Sequence, residues 1–182
     1  MAAWPSARFL GVLATTLALS AVALRVADTV PAWLRGEPRG VREYGSLEAL
    51  ERDLRTRLLL PAFFPDTLEW PPERVALSAG DGRPTLVTFH DRERGSTGLV
   101  IAQAIAGDYP IPARLLPPAD PLDASVVRIH DASARLSRVR DRGGQTWTEL
   151  SWVAQQRRVV MRFSGPDAQL IRLARSLHRG RP

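Results

Sequence analysis

Short segments of alternating apolar and polar residues fill the chain between residues 74 and 163, and they constrain the fold more than any other feature. Turn signals such as Gly80-Asp81-Gly82 and Gly143-Gly144 separate them. Connections of hairpin length join antiparallel neighbours, because parallel strands need a longer crossover. The pattern predicts about seven short antiparallel strands: Arg74–Ser78, Thr85–His90, Leu99–Ala106, Val126–His130, Arg135–Arg140, Thr146–Val153 and Arg158–Phe163.

Two amphipathic helices are predicted, one before these strands in the sequence and one after them. Ser46 is an N-cap candidate, leucines follow at helical spacing as far as Leu58, and Pro61 ends the helix. The second helix is expected over residues 166–178, with leucines on one side and arginines on the other. This order predicts an α+β fold: an antiparallel sheet of six to seven short strands, two helices packed on one face, and an N-terminal apolar helix ahead of them.

The N-terminus carries an uncharged run, Phe9–Leu24, between Arg8 and Arg25. As a helix this run rises about 24 Å, less than the roughly 30 Å of a bilayer core. It is predicted to be either a single membrane anchor, lengthened if Arg25 snorkels, or a signal peptide cleaved near Ala23. The expected organisation is a signal peptide or anchor over residues 1–27, a Pro/Gly-rich linker over 28–44, a domain over 45–179 and a tail over 180–182.

Two rules disagree on the side of the membrane that the domain occupies. Arg25, Arg35, Arg39 and Arg42 come after the apolar run, and the positive-inside rule would retain them in the cytoplasm. An apolar segment after a short basic tip typically exports the chain on its C-terminal side. We expect export: an extracytoplasmic domain that is either single-pass at the cell membrane with its C-terminal domain outside, or secreted after cleavage.

Composition excludes several classes of chemistry. The chain has no cysteine, which rules out disulfides, thiolate metal sites and cysteine catalysis. All 25 basic residues are arginine, and the net charge of +6 comes entirely from residues 154–182. Because the excess is terminal and is not spread along a groove, nucleic acid is not an expected partner.

Six arginines are the candidate contact residues for an anionic surface. Three are predicted on one strand face, and three on the polar side of the second helix: Arg138, Arg140, Arg142, Arg172, Arg175 and Arg179. They would attract anionic lipid head groups or an acidic protein partner. The alternative is that they are solvated strand and helix faces.

The histidines and the acids beside them form no recognisable catalytic or metal-binding pattern. His90-Asp91 and His130-Asp131 each end a predicted strand, but neighbours on a strand point to opposite faces, so neither pair forms a dyad by itself. Three histidines without helical or hairpin spacing make a poor zinc site. We predict no catalytic residue, no metal and no cofactor.

Four motifs together resemble a known family. They are Leu60-Pro61-Ala62-Phe63-Phe64-Pro65, a late hairpin with Trp147, Glu149 and Trp152, the helix start Gly165-Pro166-Asp167, and Ala174-Arg175-Ser176-Leu177. Over residues 44–179 the pattern resembles an uncharacterised extracytoplasmic bacterial domain found in membrane-anchored, anti-sigma-factor-like and sporulation-associated proteins. The resemblance implies no catalytic residues.

The function expected from the sequence is a non-enzymatic binding or accessory domain, tethered to the membrane through its N-terminal segment. The alternative is a carrier or chaperone-like module that shelters an apolar ligand between its sheet and its helices. A cavity of about 300 Å³ or more at that position would favour the carrier, and a filled core would favour the accessory domain.

Overall fold

The computed structural model describes residues 40–179, with His178 and Arg179 described in their backbone only. The predicted signal peptide or anchor, the linker up to residue 39 and the tail lie outside these residues. Within the described part of the chain, no helix is long and apolar enough to cross a bilayer.

The main sheet has eight strands, and every neighbouring pair is antiparallel. Its strand order is β1-β3-β4-β5-β9-β8-β7-β6, so β1 and β6 are its edges. A second sheet pairs β2 with β10. The strands are β1 (Val41–Tyr44), β2 (Leu59–Pro61), β3 (Arg74–Ser78), β4 (Pro84–Asp91), β5 (Ser96–Ala104), β6 (Asp120–Ile129), β7 (Ala132–Arg140), β8 (Thr146–Ala154), β9 (Arg157–Phe163) and β10 (Leu177–Arg179).

The two helices are short. Helix α1 (Leu47–Leu54) begins at the N-cap Ser46, whose side chain accepts a hydrogen bond from the Ala49 N–H at 3.2 Å. It ends at Arg55, which adopts a left-handed conformation with a φ of 54°. Helix α2 (Asp167–Arg175) follows Pro166, and no side chain caps it.

The two faces of the main sheet are covered differently. On one face, here called the helix face, α1, α2 and the small sheet pack over strand residues such as Phe89, Ile101 and Met161, which have no exposed surface. On the opposite face, here called the loop face, the proline-rich segment after β5 covers a smaller apolar cluster around Ala102 and Leu115. The large core therefore lies between the sheet and the helices.

The predicted α+β class is wrong, because the structure is a largely β fold. The two helices have only eight and nine residues, and the main sheet has eight strands, not six to seven. Leu58 continues the helical leucine spacing, but it follows the left-handed turn at Arg55 and precedes β2. Leu177 likewise continues the spacing of α2 but begins β10. Pairing between β2 and β10 satisfies backbone groups that a longer helix would have satisfied internally.

A buried amide joins the small sheet to the main sheet. Gln103 on β5 has no exposed surface, and its Oε1 accepts a hydrogen bond from the Leu59 N–H at 2.9 Å. Its Nε2 donates to the Leu59 carbonyl oxygen at 3.1 Å. The side chain thus satisfies both backbone groups of a buried β2 residue, as a neighbouring strand would.

Candidate functional site

A cleft of about 400 Å³ opens on the helix face where the β6–β7 and β8–β9 hairpins end. We call it the hairpin-end cleft. Its apolar floor includes four side chains that are at most 4% exposed: Leu59, Ile129, Trp152 and Ala174. The floor therefore combines residues of β2, β6, β8 and α2. The cleft lies at one end of the layer between the sheet and α2, while the rest of that layer is filled by side chains such as Leu170 and Leu173.

Two tight turns form the mouth of the cleft. Gln155 and Gln156 connect β8 to β9, and both have a positive φ, which suits a two-residue hairpin turn. His130 and Asp131 connect β6 to β7. His130, Asp131 and Gln155 are exposed and line the cleft, so polar side chains surround the entrance to an apolar interior.

A hydrogen bond from His130 holds the end of α2 against the β6–β7 hairpin. Its Nε2 lies 2.8 Å from the carbonyl oxygen of Arg175, and because a carbonyl oxygen only accepts, this nitrogen carries the proton. The guanidinium of Arg175 reaches the carbonyl oxygen of Arg128 at 3.4 Å. Both arginines are exposed, and these contacts bring positive charge close to the mouth of the cleft.

A second groove, of about 350 Å³, lies on the loop face beneath the proline-rich segment. Two ion pairs line it. Arg158 Nε lies 2.7 Å from Asp108 Oδ1, and Arg162 Nε lies 2.8 Å from Glu149 Oε2. Arg162 is only 8% exposed and also donates to the carbonyl oxygen of Pro117. Because each guanidinium already has an acidic partner, this groove offers a ligand no excess charge.

The arginines predicted on β7 lie apart from those on α2. Arg138 Nε binds Asp123 Oδ2 at 2.8 Å, and its backbone N–H donates to the same carboxylate. These two donors hold the pKa of Asp123 below its ordinary value. Arg140 ends β7 and Arg142 lies in the following turn, so both are exposed at the far end of the strand from the hairpin-end cleft.

The arginines predicted on α2 have individual environments. The Arg172 guanidinium lies 3.9 Å from the centre of the Phe63 ring, while Arg175 contacts the end of β6. The contact points on β6, Asp123 and Arg128, are five residues apart, about 17 Å along the strand. The described arginines therefore do not form one continuous basic surface, and Arg179 is the last residue of β10.

Part of the C-terminal excess of arginine is engaged within the fold. Arg157 is only 6% exposed and donates to the Arg57 carbonyl oxygen at 3.0 Å and to the Thr56 hydroxyl. Arg158 and Arg162 are held in the ion pairs with Asp108 and Glu149. Three of the seven arginines after residue 153 therefore stabilise the fold.

The two His-Asp pairs have structural contacts. Asp91 is buried, and its Oδ1 accepts hydrogen bonds from the N–H groups of Glu93 and Arg94, which closes the turn after β4. His90 lies opposite Thr97 in the ladder, and His130 contacts α2. Among the side chains that the structure describes, no group of three or more His, Asp and Glu residues is placed to hold a metal ion.

The sequence does not mark the residues of the cleft, although His130 and Asp131 stand out in it as a polar pair at a strand end. Apolar residues such as Leu59 and Trp152 resemble ordinary core residues in the sequence. The one available signal was that the Val126–His130 and Thr146–Val153 strands end in short turns, which places these turns at one end of the sheet.

Comparisons of the chain with protein-family models, with curated proteins and with solved structures found no match. The resemblance to an extracytoplasmic bacterial domain family therefore stays a prediction.

Proposed function

We propose that this protein is a non-enzymatic binding module that takes an aliphatic chain with an anionic head group into the hairpin-end cleft. The observation that carries the proposal is the cleft itself: about 400 Å³ between the sheet and α2, with an apolar floor and a polar mouth. This volume exceeds the roughly 300 Å³ at which a cavity favours the carrier alternative.

The chemistry of the cleft supports this class of ligand. Leu59, Ile129 and Trp152 would surround methylene groups, and burying each methylene contributes about 0.8 kcal/mol. At the mouth, His130 and the nearby Arg175 would attract a carboxylate or phosphate. Asp131 lies at the same mouth and repels an anionic head group, so the proposal requires that Arg175 and the neighbouring Arg128 outweigh it.

The expected extracytoplasmic location of the domain is consistent with a ligand that carries an acyl chain. An N-terminal segment that anchors or exports the domain would place it at the outer side of the cell membrane, where acyl chains are available. Anionic lipid remains the partner class proposed for the basic residues, and Arg175 and Arg128 contact each other beside the cleft.

Binding of saturated carboxylates tests the proposal. We would titrate a fragment that begins at Gly40 with octanoate, decanoate and dodecanoate below their micellar concentrations, using calorimetry. Each pair of added methylenes should tighten binding about 15-fold until the cleft is full, because two buried methylenes contribute about 1.6 kcal/mol. Absence of binding, or an affinity independent of chain length, would contradict the proposal.

A pair of alanine variants provides the matched control. Ala154→Phe adds a ring at the lining of the hairpin-end cleft and should weaken dodecanoate binding at least tenfold. Ala113→Phe adds the same ring to the loop-face groove and should leave binding unchanged. Thermal unfolding of both variants checks that they fold. If both variants lost binding equally, the ligand would not be bound specifically in the hairpin-end cleft, and the proposal would be contradicted.

A further inference from the structure

Strand β6 is an open edge of the main sheet. It has ten residues, most of them exposed, and β7 is its only neighbour in the sheet among residues 40–179. The other edge, β1, has only four residues. An exposed edge strand presents unpaired N–H and C=O groups to which another strand can bind.

The connection between β6 and β7 indicates which backbone groups point outward. Only two residues join the strands, so the flanking residues Ile129 and Ala132 form a hydrogen-bonded pair. Hydrogen-bonded and non-hydrogen-bonded pairs alternate along the ladder. Ala124, Val126 and Arg128 therefore direct their N–H and C=O groups away from β7. The Arg128 carbonyl oxygen agrees, because its contact is the Arg175 guanidinium and not β7.

The two halves of this edge differ in how well they are protected. Pro121 and the irregular pairing between Pro121 and Asp123 interrupt the first half. Prolines and bulges of this kind discourage strand addition. The second half is regular: Ala124–Val127 carries no charge, Val126 is 77% exposed, and Arg128 is the single charged residue of Ala124–Ile129. The regular part of the edge is thus the part in which Ala124, Val126 and Arg128 present outward N–H and C=O groups.

We propose that β6 pairs antiparallel with β6 of a second copy of this chain, about a two-fold axis at Val126. A two-fold axis perpendicular to the sheet keeps the two faces of the sheet continuous. With Val126 opposite Val126 of the second copy, Ala124 lies opposite Arg128, and all three outward residues pair at once with about six hydrogen bonds. No other two-fold register uses all three.

The side chains are compatible with this register. Val126, Ala124 and Arg128 share the loop face, so the two exposed valines would cover each other. On the helix face, Ser125 would lie opposite Val127 of the second copy. No like charges are directly opposed over Asp123–Ile129, which would otherwise be destabilising. Pairing requires only that the exposed Arg175 guanidinium leave the Arg128 carbonyl oxygen.

Single cysteines in this cysteine-free chain test the register. In the full chain, Val126→Cys should form a covalent dimer under mild oxidation, since paired Cα atoms about 5.5 Å apart permit a disulfide. Arg135→Cys is the control: Arg135 lies beside Val126 on β7, and its counterpart would be three strand spacings away, about 14 Å. We expect Val126→Cys to cross-link at least tenfold faster than Arg135→Cys. Equal rates would overturn the proposal.

Two further cysteine variants distinguish this register from nonspecific contact. Ala124→Cys and Arg128→Cys should each cross-link poorly alone, and a mixture of the two should give a mixed dimer. Cross-linking of Ala124→Cys alone at the rate of Val126→Cys would overturn the register.

A proline variant tests the outward N–H. Val126→Pro removes an N–H donor that β7 does not use, so the melting temperature should stay close to that of the unaltered chain. When Ala124→Cys and Arg128→Cys both also carry Val126→Pro, their mixed dimer should be lost. Val127→Pro removes a donor that β7 does use, and it should lower the melting temperature markedly. Equal destabilisation by the two prolines, or a mixed dimer that survives Val126→Pro, would contradict the proposal.

Discussion

Replacing Gln103 by leucine should destabilise the domain, although leucine fills nearly the same volume and little packing is lost. The amide of Gln103 satisfies both the N–H and the C=O of Leu59, at 2.9 and 3.1 Å, in an environment with almost no solvent. Leucine has a similar volume but no polar atom. Gln103→Leu would therefore leave two backbone groups of β2 buried without partners.

The size of this loss in stability follows from the cost of leaving the Leu59 N–H and C=O groups without hydrogen-bond partners. Each buried backbone group without a partner costs about 1–3 kcal/mol, and the more apolar side chain offsets part of the total. We expect a net loss of about 2–4 kcal/mol in the free energy of unfolding. For a domain of this size, that loss lowers the melting temperature by roughly 10 °C.

Urea unfolding of the fragment that begins at Gly40 measures this loss. Thr85→Val is the matched control, because the Thr85 hydroxyl donates at 3.3 Å to the Gln103 carbonyl oxygen, which belongs to a sheet ladder. Its removal should cost only about 0.5–1.5 kcal/mol. If Gln103→Leu unfolds within about 0.5 kcal/mol of the unaltered fragment, the amide does not hold the two sheets together.

Three other predictions concern the core, a buried ion pair and acid stability. Leu54→Asp places a carboxylate in the α1 core, where Leu54 is only 6% exposed, and should cost several kcal/mol; near-normal thermal stability would contradict this. Glu149→Ala leaves Arg162 buried without its acid and should cost about 2–3 kcal/mol, whereas adding Arg162→Met should recover part of it in the same unfolding assay. The Trp147 indole N–H lowers the folded-state pKa of Asp141 below the ordinary 3.8. The resulting stability exists above that pH and is lost as pH falls through the folded pKa, so Asp141→Asn should destabilise more at about pH 6 than at about pH 3.

Local alternation was enough to predict most of the main sheet. Strand β3 has the bounds that the sequence predicts, and β4, β8 and β9 differ by one residue at one or both ends. Strands β5 and β7 each begin three residues before their predicted starts. Strand β6 begins six residues before its predicted start, because the sequence places the residues up to Asp123 in a proline-rich loop. Pro121 is accommodated there because β6 is an edge strand, and edge position is a property of the whole sheet.

The helix ends could not be predicted from leucine spacing. Leu58 and Leu177 both continue a helical stripe, yet both lie next to or within the small sheet. Leu59 and Arg179 pair although they are far apart along the chain, so no local window contains the signal. Gln103 was a visible clue, as a polar residue within the most apolar predicted strand, but its partner Leu59 is also distant in sequence.

The candidate site depends on the same long-range pairing. Leu59 reaches the hairpin-end cleft only because β2 is held between β10 and Gln103. The exposed positions of Arg138, Arg140, Arg172 and Arg175 were predictable, but their partners were not. Arg172 lies over Phe63 and Arg138 binds Asp123, and neither contact could be predicted from the spacing of charges.

Ligand binding in the hairpin-end cleft and pairing of β6 both involve the Arg175 guanidinium, so the two equilibria are thermodynamically linked. In the single chain, the Arg175 guanidinium contacts the Arg128 carbonyl oxygen. Pairing of β6 with a second copy uses that oxygen and releases the guanidinium beside the mouth of the hairpin-end cleft. A released guanidinium binds a ligand carboxylate better than an engaged one, so pairing should tighten ligand binding. By reciprocity of linked equilibria, a carboxylate ligand then favours pairing by the same factor, whereas an alcohol of equal chain length does not.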